Sequence, residues 1–160
     1  MAGKTGFYRI PLRMDKLMRG DELERIEIRK SIHQNIGLML RTLSMSYQFD
    51  PGYGSVLNKY HARTPPQNQT ERSWREEMRE RIQKNLLDML QRYETRISVT
   101  DVFVDLRQPD AKEKNPLMKV KVSVNGKLSI GRREVFHYPD SEVDEDAMEA
   151  FPLLIPVGKK

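Results

Sequence analysis

The stretch Leu86-Leu87-Asp88-Met89-Leu90-Gln91-Arg92-Tyr93-Glu94-Thr95-Arg96-Ile97-Ser98-Val99-Thr100-Asp101-Val102-Phe103-Val104-Asp105-Leu106 decides the fold, because the period of its apolar residues changes from near four to two. Upstream, Trp74, Met78, Ile82, Leu86, Met89, Leu90 and Tyr93 form one apolar stripe, which predicts a helix from Glu71 or Trp74 to Tyr93. Ser73, with Glu76 three residues on, has the form of a capping box for its start. Downstream, Ile97 and Val99 and then Val102, Val104 and Leu106 alternate with other residues, as in a half-buried strand. The apolar phase slips at Thr100-Asp101, which predicts a bulge or bend there.

Further along, Gln108 to Pro116 reads as a polar turn, and Met118, Val120, Val122 and Val124 alternate with Lys119, Lys121 and Ser123 as a second strand. Asn125-Gly126 is a hairpin signal: a two-residue turn would set Val124 opposite Lys127, whereas a three-residue loop would set Val124 opposite Leu128 and Val122 opposite Ile130, the register that puts apolar groups on one face. Before the junction, Ile28, Ile32, Ile36, Met39, Leu40 and Leu43 recur at spacings of three and four, predicting a helix from about Asp21 to Leu43. Gly37 lies in the middle of that stripe. The stretch Ser44 to Gln69 breaks regularity, with turn chemistry at Asp50-Pro51-Gly52-Tyr53-Gly54 and an exposed connector at Thr64-Pro65-Pro66. So long an irregular stretch inside a compact domain is uncommon unless it is functional or partly ordered by a partner. Helix, loop, helix and then antiparallel strands argue an α+β fold: two amphipathic helices packed on a small antiparallel sheet, with extended termini. The expected organisation is an extended leader over residues 1–20, an α+β domain over 21–138, and an acidic and then apolar tail over 139–160.

With 160 residues, the chain has the size of one ordinary domain. No window approaches the roughly 18 apolar residues that span a bilayer, so membrane insertion is not expected. The absence of cysteine excludes disulfides and thiolate metal sites and fits a cytoplasmic protein. The net charge is unevenly placed. Asp140, Glu142, Asp144, Glu145, Asp146 and Glu149 fall in ten residues without a basic one, and without these six acids a net +5 becomes +11 for the rest. A basic body suggests an anionic partner surface, or simply a solvated one.

Catalytic chemistry finds little support. His33, His61 and His137 are far apart and in no metal-ligand spacing, and there is no phosphate-binding glycine loop or GxSxG nucleophile. No cofactor and no small-molecule substrate are expected. Nucleic-acid binding is the alternative that the charge raises, through Arg72, Arg75, Arg79, Arg81, Lys84 and Arg92 on the second helix and Lys119, Lys121 and Lys127 on the strands. The acids Glu71, Glu76, Glu77, Glu80 and Asp88 interleaved on that helix weaken it as a phosphate surface.

Three parts in order carry a resemblance: the helix Lys30-Ser31-Ile32-His33-Gln34-Asn35-Ile36-Gly37-Leu38-Met39-Leu40-Arg41-Thr42, the turn Pro51-Gly52-Tyr53-Gly54-Ser55-Val56-Leu57, and the junction Tyr93-Glu94-Thr95-Arg96-Ile97. From about Ile28 to Ile130 the chain resembles the small baseplate wedge subunits of contractile injection machines, a family that includes a phage baseplate protein once labelled lysozyme-like and TssE of type VI secretion. At the junction Glu94 and Arg96 match the family's Glu-Pro-Arg, with Thr95 in place of proline. Arg41 to Tyr47 stands where the family has an arginine-rich, glycine-containing stretch. The resemblance implies a structural, non-enzymatic subunit in a cytoplasmic baseplate. Its partners would be other wedge subunits and sheath proteins, with the sheath begun by strand addition. The old label leaves peptidoglycan hydrolysis as a minor alternative that no motif supports. Glu94 and Arg96 are the expected partner-binding residues. Read as an exposed pair, they predict that Arg96→Ala shifts stability by no more than about 1 kcal/mol.

Overall fold

The computed structural model describes residues 6–9, 12–57, 67–107, 117–130, 133–140 and 153–156. In chain order the elements are β1 (Phe7–Tyr8), α1 (Met14–Arg19), β2 (Arg25–Ile26), α2 (Ile28–Arg41), α3 (Glu71–Tyr93), β3 (Ile97–Arg107), β4 (Leu117–Leu128), β5 (Val135–Tyr138) and β6 (Leu153–Pro156). The fold is α+β, as the change of period indicates. The expected polar turn at Gln108 to Pro116, the connector at Thr64 to Pro66, His61 and most of the acidic run after Asp140 lie outside the described residues.

The main sheet is antiparallel, in the order β3-β4-β5, with β6 also on β4. One of its faces is apolar. Val102 lies opposite Val124, Val104 opposite Val122, and Ile97 opposite Leu128, all buried. Ile82, Leu86, Met89 and Leu90 of α3, Ile32, Ile36, Met39 and Leu40 of α2, and Phe136 and Tyr138 of β5 complete one core with them. Each such side chain stabilises the fold by roughly 1.5–3 kcal/mol on burial. Most outward positions are polar, as where Asp105 faces Lys121, with Phe103 and Val135 exposed among them.

The phase slip at Thr100-Asp101 is a bulge: Val99 pairs with Gly126 and Asp101 with Asn125, leaving Thr100 as the extra residue. The expected hairpin at Asn125-Gly126 does not form. β4 runs straight through both residues, Val124 pairs with Val102 and Tyr138 rather than Leu128, and the chain reverses between Leu128 and Val135. Gly126 serves the bulge instead. A Cβ there would sit 2.6 Å from the Ser98 carbonyl oxygen, so the approach of the two backbones requires glycine.

α2 begins at Ile28, where the periodicity itself begins, and not at Asp21. Arg25–Ile26 before it pairs with Phe7–Tyr8. The leader is therefore extended only in part. Met14–Arg19 is a helical turn and a half with no buried residue, ended by Gly20 in the left-handed conformation (φ 74°). α3 starts at Glu71 as expected, but its cap is Thr70, whose hydroxyl accepts from the Ser73 N–H, and not the Ser73–Glu76 box. No helix among the described residues is long and apolar enough to cross a membrane.

Gly37 is buried in α2, and a Cβ on it would meet only the Tyr138 hydroxyl, at an ordinary 3.7 Å. Gly37→Ala is therefore expected to stabilise the chain by about 0.5–1 kcal/mol, since helical glycine carries excess unfolded-state entropy. Urea unfolding measures it, and a loss of stability would mean that the helix packs more tightly than this contact.

Candidate functional site

The three sequence segments singled out above meet in space where α3 becomes β3. Two residues, Thr95 and Arg96, turn the chain between Glu94 and the first residue of β3. Glu94 closes α3, its N–H donating to the Leu90 carbonyl at 2.8 Å. Its side chain then points inward, with the residue only 1% exposed.

That carboxylate is surrounded by donors. Arg96 Nε donates to Oε1 at 2.7 Å and Arg96 Nη2 to Oε2 at 2.6 Å, a two-pronged pair. The Arg96 backbone N–H adds a bond to Oε1 at 3.3 Å, and Asn35 Nδ2 of α2 donates to Oε2 at 2.7 Å. The remaining prong of the guanidinium, Nη1, donates to Ser31 Oγ at 2.9 Å, and its carbon lies 5.4 Å from the Phe7 ring centroid. The side chain of Arg96 is 20% exposed. The expectation of an exposed pair is thus overturned. The two side chains close on each other beneath α2 and the leader strand, and the pair ties four elements together: α3, β3, α2 and β1.

The Pro51-Gly52 turn is fixed beside this junction. Asp50 Oδ1 accepts from the Tyr93 hydroxyl at 2.8 Å and from the Gly52 N–H at 3.1 Å. Gly54 has φ 101°, and a Cβ on it would lie 2.8 Å from the Thr42 carbonyl oxygen, so glycine is required where the loop returns to the end of α2. There Leu43 and Ser55 form a parallel bridge, and Leu57 drops into the core. The Tyr53 ring stacks edge-on against Tyr93 at 5.2 Å. Burial, with the Glu94 charge as a smaller contribution, raises the Tyr53 hydroxyl above its ordinary value. Outside this packed base, Tyr47 meets Tyr53 and Phe49 edge-on and Phe49 is 79% exposed. Leu43 and Met45 are exposed in the same loop.

Sequence reasoning singled out Glu94 and Arg96 but not Ser31, Asn35 and Phe7, which contact them. The signal was present: Ser31 and Asn35 are four apart, so they stack on one side of a helix whose apolar stripe is otherwise continuous. His33 is buried against Phe136 and Tyr138, with Nε2 3.0 Å from the His137 carbonyl oxygen, and His137 Nδ1 lies 2.6 Å from Asn125 Oδ1. Among the described residues no three histidine, aspartate or glutamate side chains converge as metal ligands. On α3, Arg72, Arg75 and Arg81 pair with Glu76, Glu71 and Glu77 one turn away, which reduces the charge that the helix offers to phosphate.

Beyond this junction β3 and its partner β4 run for 11 and 12 residues. The family model described as baseplate wedge protein gp25 matches residues 26–130, from β2 to the end of β4 and its turn. No curated protein matches the chain.

Proposed function

Because the chain belongs to the baseplate wedge protein gp25 family, whose members are structural and assemble with other baseplate subunits, we propose a specific place for it. It is a non-catalytic wedge subunit of a cytoplasmic contractile machine, a TssE-like component of a bacterial type VI secretion baseplate, and it helps to start the sheath by strand addition. The observation that carries this reading is the sheet. β3 and β4 are 11 and 12 residues long, and among the described residues no strand pairs with the outer edge of β3 or with Lys121 to Ser123 on the second side of β4. Open main-chain donors and acceptors supply pairing to an incoming strand, and alternating side chains supply selectivity.

Glu94 and Arg96 serve partner binding in this reading by position. The carboxylate already accepts four hydrogen bonds, so it has little left for a partner. The pair sets the direction in which β3 leaves α3, and the exposed fifth of the Arg96 side chain is the part that a partner reaches.

Cells lacking the chain are expected to build no sheath, and to recover when it is supplied. Fluorescently labelled sheath protein, counted as assembled structures per cell, measures this. Sheaths in normal number without the chain would remove it from sheath initiation.

A further inference from the structure

The two sides of β4 are covered differently. On one side β3 runs beside it from Lys119 to Leu128. On the other, two separate strands share one line: β5 pairs with Val124 to Lys127 and β6 with Leu117 to Val120. Both are antiparallel to β4, so they point the same way along it, with only Lys121 to Ser123 between their footprints. The gap from Val124 to Val120 is about 14 Å at the rise of a strand, a distance that about four extended residues bridge. Yet 14 residues, Pro139 to Pro152, join Tyr138 to Leu153. β6 is tethered by far more chain than its place requires.

Its hold on β4 is also short. There are four residue pairs, and Pro156, opposite Leu117, has no N–H to donate. The outer edge of β3 is a poorer acceptor for a foreign strand. The bulge at Thr100 breaks its register, and Gln83 Nε2 of α3 already donates to the Val102 carbonyl at 2.8 Å.

We propose that the second edge of β4, from Leu117 to Ser123, is the acceptor for an extended strand from a partner subunit, and that β6 is its built-in occupant, displaced when that strand arrives. The proposal rests on the strand-addition reading and adds the edge, the direction and the regulation. A strand continuing the line of β5 runs antiparallel to β4. Its residue opposite Val122 faces the side where Val120, Val122 and Val124 are buried, so it is apolar. Its residue opposite Lys121 faces the exposed side, where an acidic group meets the ammonium. The fitting partner is therefore a proline-free segment of about seven residues that alternates apolar and polar, acidic groups. Such a strand forms more pairs than β6 does. It must outcompete a tail that the 14-residue tether holds at an effective concentration of roughly millimolar order, so weak or accidental strands are excluded.

The chain has no cysteine, so a single engineered disulfide can lock the tail. Met118 and Ile155 are register partners, and directly opposed Cα atoms lie about 4.5–5.5 Å apart, within disulfide range. The full chain carrying Met118→Cys and Ile155→Cys is tested, oxidised and reduced, against a fluorescent eight-residue peptide alternating valine with glutamate. The reduced form is expected to bind at least tenfold more tightly than the oxidised form. Lys119→Cys with Leu154→Cys, one pair along, repeats the test should the first variant fold poorly. Equal binding in both states places the acceptor on another edge and overturns the proposal while leaving strand addition standing. Binding in neither state, together with sheath assembly that does not need the chain, removes both. A disulfide that joins two copies, seen as a doubled mass without reductant, means that the tail pairs between chains and also overturns the proposal.

Discussion

Arg96→Ala is expected to lower the stability of the isolated chain by about 3 kcal/mol, which for a chain of this size lowers Tm by roughly 6–12 °C. The variant keeps a carboxylate that is 1% exposed and removes two of its four donor contacts, both from the guanidinium, leaving Asn35 and the backbone N–H of residue 96 beside it. The alanine backbone N–H can keep its 3.3 Å bond only if the turn holds without the side chain that fixes it. Stranding a buried charge costs far more than losing a surface pair, for which about 1 kcal/mol would be the ceiling. Arg96→Lys is expected to recover only part of the loss, because one ammonium cannot bridge both carboxylate oxygens and Ser31 together. Urea unfolding of the three proteins decides it. A loss below about 1 kcal/mol would return the pair to the surface role that the sequence suggests.

Gly126→Ala is the second large effect, an expected loss of about 2 kcal/mol, within the range for forcing an extra methyl into a packed site. The added carbon would stand 2.6 Å from the Ser98 carbonyl oxygen and 3.2 Å from the Val99 Cα. Both are backbone atoms of the neighbouring strand, and β5 lies on the other side at Phe136, so neither strand can yield cheaply. Deleting Thr100 in the Gly126→Ala background separates the causes. If the bulge is what demands glycine, removing the extra residue lets the strands regain regular spacing and part of the stability returns. An alanine variant as stable as the parent would mean that the strands do not approach this closely.

The hairpin reading and the bulge compete for the same glycine, and this shows where local reasoning stops. Asn-Gly is a turn signal because it tolerates positive φ, but a glycine is equally demanded wherever two backbones come close. Val120, Val122, Val124, Gly126 and Leu128 are buried without a break in their alternation, which argues one continuous strand across Asn125-Gly126. The helices were legible because their stripes are long, and the slip at Thr100 because period two permits only one phase per face. The start of α2 was misplaced because Asp21 and Glu22 resemble first-turn acids while contributing nothing to the apolar stripe. The candidate site was half legible. Glu94 and Arg96 lie two apart, and their spacing shows that they can pair, but burial comes from α2 and Phe7, which are 59 and more residues away. Distance of that kind is set by tertiary packing, which no local window contains.

The claim that this chain is an assembly subunit is tested most directly by what it holds on to in cells. A tagged full-length chain, expressed at its natural level and recovered under gentle lysis, is analysed by mass spectrometry of everything that comes with it. The account predicts other baseplate wedge subunits in reproducible ratio, with sheath protein present when the cell is assembling. Recovery of the chain alone, with its fold intact, would contradict it.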